Sequence, residues 1–230
     1  LANVPPFDVL SISELNHGCN DQTLYQPGWV TEQFPKHSSP RPGRWRAKVG
    51  VKSLTRLSDR IEKVRNHRPD LAVPPEEAVW LNGSGKPVTS LAEDPTENGL
   101  DSRGARDLVS LEHFALRSID SFLVKAWRGD VVIKGKQVSN AYFRRRNRDS
   151  HHEIDLSKGQ AMARAVYAEF EKDAELMALH RACIQAHQAR IDTLYADPAY
   201  RKRRAELVAI AAEQQAPPPA KGTDGDTQNN

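Results

Sequence analysis

The stretch "SKGQAMARAVYAEFEKDAELMALHRACIQAHQARIDTLYADP", residues 157–198, decides the fold class. Val166, Phe170, Met177, Ile184, Ile191 and Tyr195 keep to one side through it, because side chains three, four or seven positions apart share a face when the chain turns every 3.6 residues. Ser157 and Gln160 have the spacing of a capping box, which sets the start at Ser157. The run stops at "YADP". Asp197 suits a cap and Pro198 a first helical position, so a second, shorter helix is expected through "AYRKRRAELVAIAAEQQ", 199–215. A long helix of about 157–195 with a shorter one behind it predicts a mainly α fold with a small β element (α+β).

Upstream, Leu108, Leu111, Ala115, Ile119, Phe122 and Ala126 form a helical stripe, which predicts a helix over Arg106–Trp127. Leu54, Leu57, Ile61 and Val64 do the same for Ser53–His67, where Pro69 ends the run. A short helix is expected at "PPEEAVW", 74–80. Strands are expected at "WRAKVGV", 45–51, and as a pair within "DVVIKGKQV", 130–138. The chain then divides into an irregular, Pro-rich N-terminal region with a strand and a helix (1–81), a loop or linker (82–104), a helical C-terminal domain with a basic β element (105–215) and a disordered tail (216–230).

The 230 residues suffice for one substantial core or two small ones. A mean hydropathy of −0.66 describes a polar chain, and no apolar run approaches the roughly 18 residues needed to cross a bilayer, so no membrane association is expected. "LANVPPFDVLSISEL" at the start lacks the basic and apolar segments of a secretory signal. Cys19 and Cys183 are too few for a disulfide framework, and a reducing cytoplasm is the expected location.

A net charge of +3 is small, but its distribution is uneven. From Lys125 to Arg148 eight basic residues face a single acid, Asp130. Within this patch "YFRRRNR" sets Tyr142 and Phe143 beside Arg144, Arg145, Arg146 and Arg148, and Arg201, Lys202, Arg203 and Arg204 follow Tyr200 in the same manner. Arginine matches phosphate bidentately and aromatic rings stack on unpaired bases, so both clusters point to nucleic acid, DNA or RNA. The opposing reading is a solvated face paired with the acids of the long helix. A second constellation is His180, Cys183 and His187, which a helix brings to one face and whose donors suit zinc. A buried cysteine between two boundary histidines has the same spacing. No Walker loop and no Gly-x-Ser-x-Gly elbow is present.

"HHEIDLSKG" followed by "ELMALHRAC", within residues 149–187, resembles the pattern of HNH-type nucleases. The resemblance implies a metal ligand at His151, a general base at His152 and a divalent ion, zinc or magnesium. It departs from the family at Glu175, where an orienting asparagine stands, at Ile184 in place of a histidine, and at His180 in place of a cysteine.

The expected function is therefore a nucleic-acid-binding accessory protein without catalytic activity or a bound cofactor. The alternatives are a divergent metal-dependent nuclease using His152 with metal donors among His151, His180, Cys183 and His187, and a helical scaffold that pairs with a protein partner or with itself through 157–195.

Overall fold

Val9–Asn16 (β1) is the central strand. Val9, Leu10 and Ser11 at its start are buried, and the serine is tolerated there because Ser11 Oγ lies 3.1 Å from Ser53 Oγ and accepts from Trp80 Nε1 at 2.9 Å. Nothing in the proline-rich reading of the first fifty residues anticipates this strand. The computed structural model describes residues 4–38, 48–49, 51–88, 100–101, 105–131, 133–147, 152–153 and 155–215.

Three strands pair with β1. Val51–Thr55 (β4) runs antiparallel along one edge, with Val9 opposite Thr55 and Ser13 opposite Val51. The other edge is shared: Trp80–Asn82 (β7) runs parallel to Val9–Ser11, and Leu111–His113 (β9) runs parallel to Glu14–Asn16. The smaller pairings are Lys36–His37 (β2) with His152–Glu153 (β10), Lys48–Val49 (β3) with Leu100–Asp101 (β8), and Ile61–Lys63 (β5) with Asp70–Leu71 (β6). Strand β1 thus bonds to segments on both sides of residues 82–104. Of that interval, 89–99 and 102–104 lie outside the described residues, as does the tail 216–230.

Helices carry most of the remaining described chain, as expected. Val30–Gln33 (α1) is one turn. Ile119–Arg128 (α2) is capped by Ser118, whose Oγ accepts from Ser121 N at 3.2 Å. Asn140–Arg146 (α3), Ser157–Phe170 (α4), Ala174–Tyr195 (α5) and Pro198–Gln215 (α6) complete the set. Ile119, Phe122, Leu123 and Ala126 of α2 meet Phe143 of α3, Leu194 of α5 and Leu207 and Ala211 of α6 in one core that also takes in Cys19. No helix among the described residues is long and apolar enough to cross a membrane.

Several expectations change. Residues 53–67 are strand and turn, not helix: Leu54, Leu57 and Val64 are exposed, so their stripe covers nothing. Pairing of Ser53 and Val51 with β1 wins over a periodicity that finds no partner. The helix expected from Arg106 begins only at Ile119, because Leu111–His113 is drawn into the sheet and Ser118 caps the helical turns after it. Residues 130–138 form a turn around Gly135 (φ +80) rather than a strand pair; Asp130 N donates to Lys136 O, and Val132 is outside the described residues. The long helix is two, because the Asp173 side chain accepts from Leu176 N at 3.0 Å and starts α5 afresh. Ser157 does not cap α4; Leu156 holds that position. The helix at 74–80 is a single 3-10 turn, Pro75–Glu77, and the strand at 45–51 survives as β3 and the start of β4, with 45–47 and residue 50 outside the described residues.

Gly83 follows β7 where no side chain fits: a Cβ there meets the carbonyl oxygens of Ala105 at 2.4 Å and Val109 at 2.8 Å. Both contacts are backbone and cannot swing away. Gly83→Ala is expected to cost about 3 kcal/mol, read as a lowered urea midpoint with an unchanged m-value.

Candidate anion-binding cleft

Strand β9 ends at His113, and a tight connection of Phe114, Ala115, Leu116 and Arg117 leads into α2. Arg117 sits at φ +60, a left-handed conformation that a β-carbon opposes. Beside this connection a cleft of about 390 Å³ opens, lined by His113, Arg117, Lys125, Arg128 and His187 together with Phe114, Ala115, Leu116, Ser121 and Val124. No carboxylate among the described residues lines it. Arg117 and Arg128 are exposed and make no ion pair among the described residues; Lys125 donates to Ala115 O at 2.9 Å and Tyr142 Oη at 3.0 Å, both neutral acceptors.

His187 projects from α5 at the back of this cleft. Its Nε2 lies 3.1 Å from Ser121 Oγ and its ring meets Tyr25 edge-on at 4.5 Å. Burial lowers the imidazole pKa and the nearby Arg117 charge lowers it further. A neutral ring accepting from Ser121 Oγ results, since Ser118 Oγ donates to Ser121 Oγ at 3.1 Å and leaves that hydroxyl's proton for His187.

Behind His113 lies a second polar group. Glu14 of β1 reaches His113 Nδ1 at 3.4 Å and Arg146 Nη1 at 3.5 Å, while Arg146 also donates to Asn16 Oδ1 at 2.8 Å. One register step further, His17 is fully buried; its Nδ1 faces Phe34 O at 2.6 Å and its Nε2 faces Glu112 Oε2 at 2.8 Å. The His37 ring stands 5.7 Å from it, edge-on, and β10 places His152 opposite His37. Burial pushes the Glu112 carboxyl up, but hydrogen bonds from His17 and Ser110 outweigh it and the net displacement is downward.

The arginines singled out by composition are mostly consumed in holding the protein together. Arg204 Nε donates to Asp120 Oδ1 at 2.8 Å; Arg203 donates to Asn140 Oδ1 and Val138 O; Arg201 closes the end of α5 through Tyr195 O and Ala196 O. Arg144 pairs with Glu213 at 2.9 Å. Phe143 is buried in the helical core, and Tyr142 lies between Lys125 and Arg146, each cation over its ring. Arg145 and Lys202 are exposed, and Arg148 is outside the described residues. The His180–Cys183–His187 face divides in the same way. His180 meets Tyr167, Cys183 is exposed, and His187 serves Ser121. His151 and the His152 side chain are not among the described groups, and among those that are, no set of three His, Cys, Asp or Glu is placed to hold a metal ion.

Of the cleft residues, Lys125 and Arg128 belong to the basic segment visible in the sequence, and His187 to the histidine–cysteine face. Arg117 and His113 carry no such signal: their roles come from a turn and a strand end that periodicity reads as helix.

Glu14 and Asp120 each give a measurable outcome. Burial pushes the Glu14 carboxyl up, yet the hydrogen bond and charge of His113 and the charge of Arg146 prevail and bring it from 4.5 to about 2. A folded-state pKa below the unfolded one contributes stability in full above pH 4.5 and loses it as pH falls toward 2, an amount on the order of 3 kcal/mol. Urea unfolding between pH 2 and 5 should show this slope in the wild type and a flatter one in Glu14→Gln. Arg204→Met strands the Asp120 carboxylate, 2% exposed; the expected cost is about 3 kcal/mol in the same assay at neutral pH.

Comparison of the chain with family models, curated proteins and solved structures finds no match to any of the three.

Proposed function

We propose that the protein is a nucleic-acid-binding protein whose phosphate grip is the cleft alongside α2 rather than the arginine run of α3. The observation that carries this reading is the pooling of Arg117, Lys125 and Arg128 around one concavity with no carboxylate among the described residues of its lining. Cations without an internal carboxylate partner keep their charge available to a ligand anion, whereas a guanidinium already ion-paired, such as Arg204 or Arg144, must give up that pair first. Tyr142 and Arg146 connect the cleft to α3, so the exposed Arg145 extends the positive face.

Binding of labelled single- and double-stranded DNA and RNA across a salt series tests it, because each neutralised phosphate adds to the slope of affinity against salt. The double variant Arg117→Gln, Arg128→Gln removes two exposed side chains and should lower that slope by about 1.5 with the fold intact by circular dichroism. An unchanged slope, or no binding at low salt, removes the reading. Magnesium-dependent shortening of the probe, lost in His152→Ala, would add the cleavage that the nuclease resemblance implies.

A second reading has its own support. The apolar side chains Met162, Val166 and Phe170 of α4 and Leu176 and Leu179 of α5 are exposed. They differ from the expected seam: Ile191 is buried in the core and Met177 and Ile184 are half-buried. Single copies of this protein would leave these side chains in water, which suits a partner helix or a second copy. Sedimentation at rising concentration distinguishes the cases; a monomer throughout argues against self-association.

A further inference from the structure

A second cavity, of about 370 Å³, adjoins the cationic cleft: Arg117 and Ser121 line both. Its chemistry is of the opposite kind. Tyr25, Trp29, Phe34 and Tyr167 supply aromatic walls, and Val30 and Ile184 add aliphatic ones. Trp29 and Tyr167 meet at 5.3 Å and 69°, edge against face, so neither ring is stacked flat on the other. Arg164 lies over the Trp29 ring at 5.2 Å and is ion-paired with Glu32, which fixes the indole. The polar residues of its lining are Gln26, Gln33, Arg117, Ser118, Ser121 and His180. A largely aromatic cavity with two glutamines in its lining, sharing Arg117 with an adjoining cationic cleft, has the parts needed for a flat heteroaromatic group that carries an anion on a short tether.

Resting on the phosphate-binding reading, we infer that the protein takes single-stranded nucleic acid, seating one unpaired base in the Trp29–Tyr167 cavity while its flanking phosphates lie against Arg117, Lys125 and Arg128. Arg117 stands at the sill between the two cavities, and its left-handed backbone holds it there at the turn into α2. A base within a duplex is stacked on both faces and cannot enter without being unpaired, so the arrangement selects against intact double helix. Glutamine amides can pair with base edges in more than one orientation, and the polymer is identified by its unpaired base and not by a sequence.

The test uses three probes with the same number of phosphates: a single-stranded oligothymidylate, an abasic strand of equal length and a blunt duplex, each titrated by fluorescence anisotropy at fixed salt. The oligothymidylate should bind about tenfold tighter than the abasic strand and tighter than the duplex. Tyr167→Leu, on a helix that is otherwise solvent-facing, should bring the oligothymidylate down to the abasic level, and Trp29→Leu should do likewise. Arg117→Gln with Arg128→Gln should weaken the base-bearing and abasic strands by the same factor. Equal binding of oligothymidylate and abasic strand, or a duplex bound as tightly as the single strand, overturns the base cavity and leaves the phosphate cleft standing. Failure of all three probes to bind overturns both.

Discussion

The buried carboxylate of Asp120 is the constraint on which the helical half of the molecule depends. It is 2% exposed and sits in the first turn of α2, where an ionised group without partners would be intolerable. Arg204 of α6 and the Tyr195 hydroxyl at the end of α5 both donate to its Oδ1, and the Tyr25 backbone N–H donates to Oδ2. One side chain therefore joins the loop before α1 to three helices. The same loop carries the Tyr25 and Trp29 rings, so the geometry of the aromatic cavity is set by a charge that lies outside it.

The basic residues divide according to whether an acceptor waits for them. Arg146 satisfies Glu14 and Asn16 of β1, and Asn147, almost wholly buried, accepts from Cys19 N at 2.8 Å and donates to Gln214 at 3.3 Å. The end of α3 is in this way a clamp between the sheet and α6. Around the cleft, Arg117 stands in the turn into α2, and Lys125 and Arg128 stand in the last turn of that helix. Most of the dense arginine run is thus tied to internal acceptors, while a looser set of cations, on α2 and the turn before it, keeps its field directed at solvent.

How far the sequence reveals this depends on the range of each interaction. Helix α6 is readable to the residue because Asp197 and Pro198 are local signals. The break in 157–195 is written there too, in Asp173 followed by Leu176, but a continuous stripe masks a cap within it. Residues 53–67 mislead because Leu54, Leu57, Ile61 and Val64 satisfy a helical period by spacing alone, and only the contact with β1 shows that nothing lies opposite. Arg146 and Arg204 look like free cations, since Glu14 and Asp120 are far away in sequence and chain order gives no hint of the pairing. The two basic clusters and His187 are visible as composition; their sorting into clamp and cleft is not.

Helix α4 contributes one wall of the aromatic cavity through Tyr167, yet its other described side chains, Gln160 apart, are exposed. Helices α2, α5 and α6 share a core that α4 does not enter. The free energy needed to lift α4 is accordingly separate from that of global unfolding, and amide exchange along it should report a small, local opening unit while the core helices remain protected. One wall of the cavity therefore rests on a helix that carries none of the buried helical core, so substitutions on the solvent face of α4 should alter the cavity with little loss of stability elsewhere.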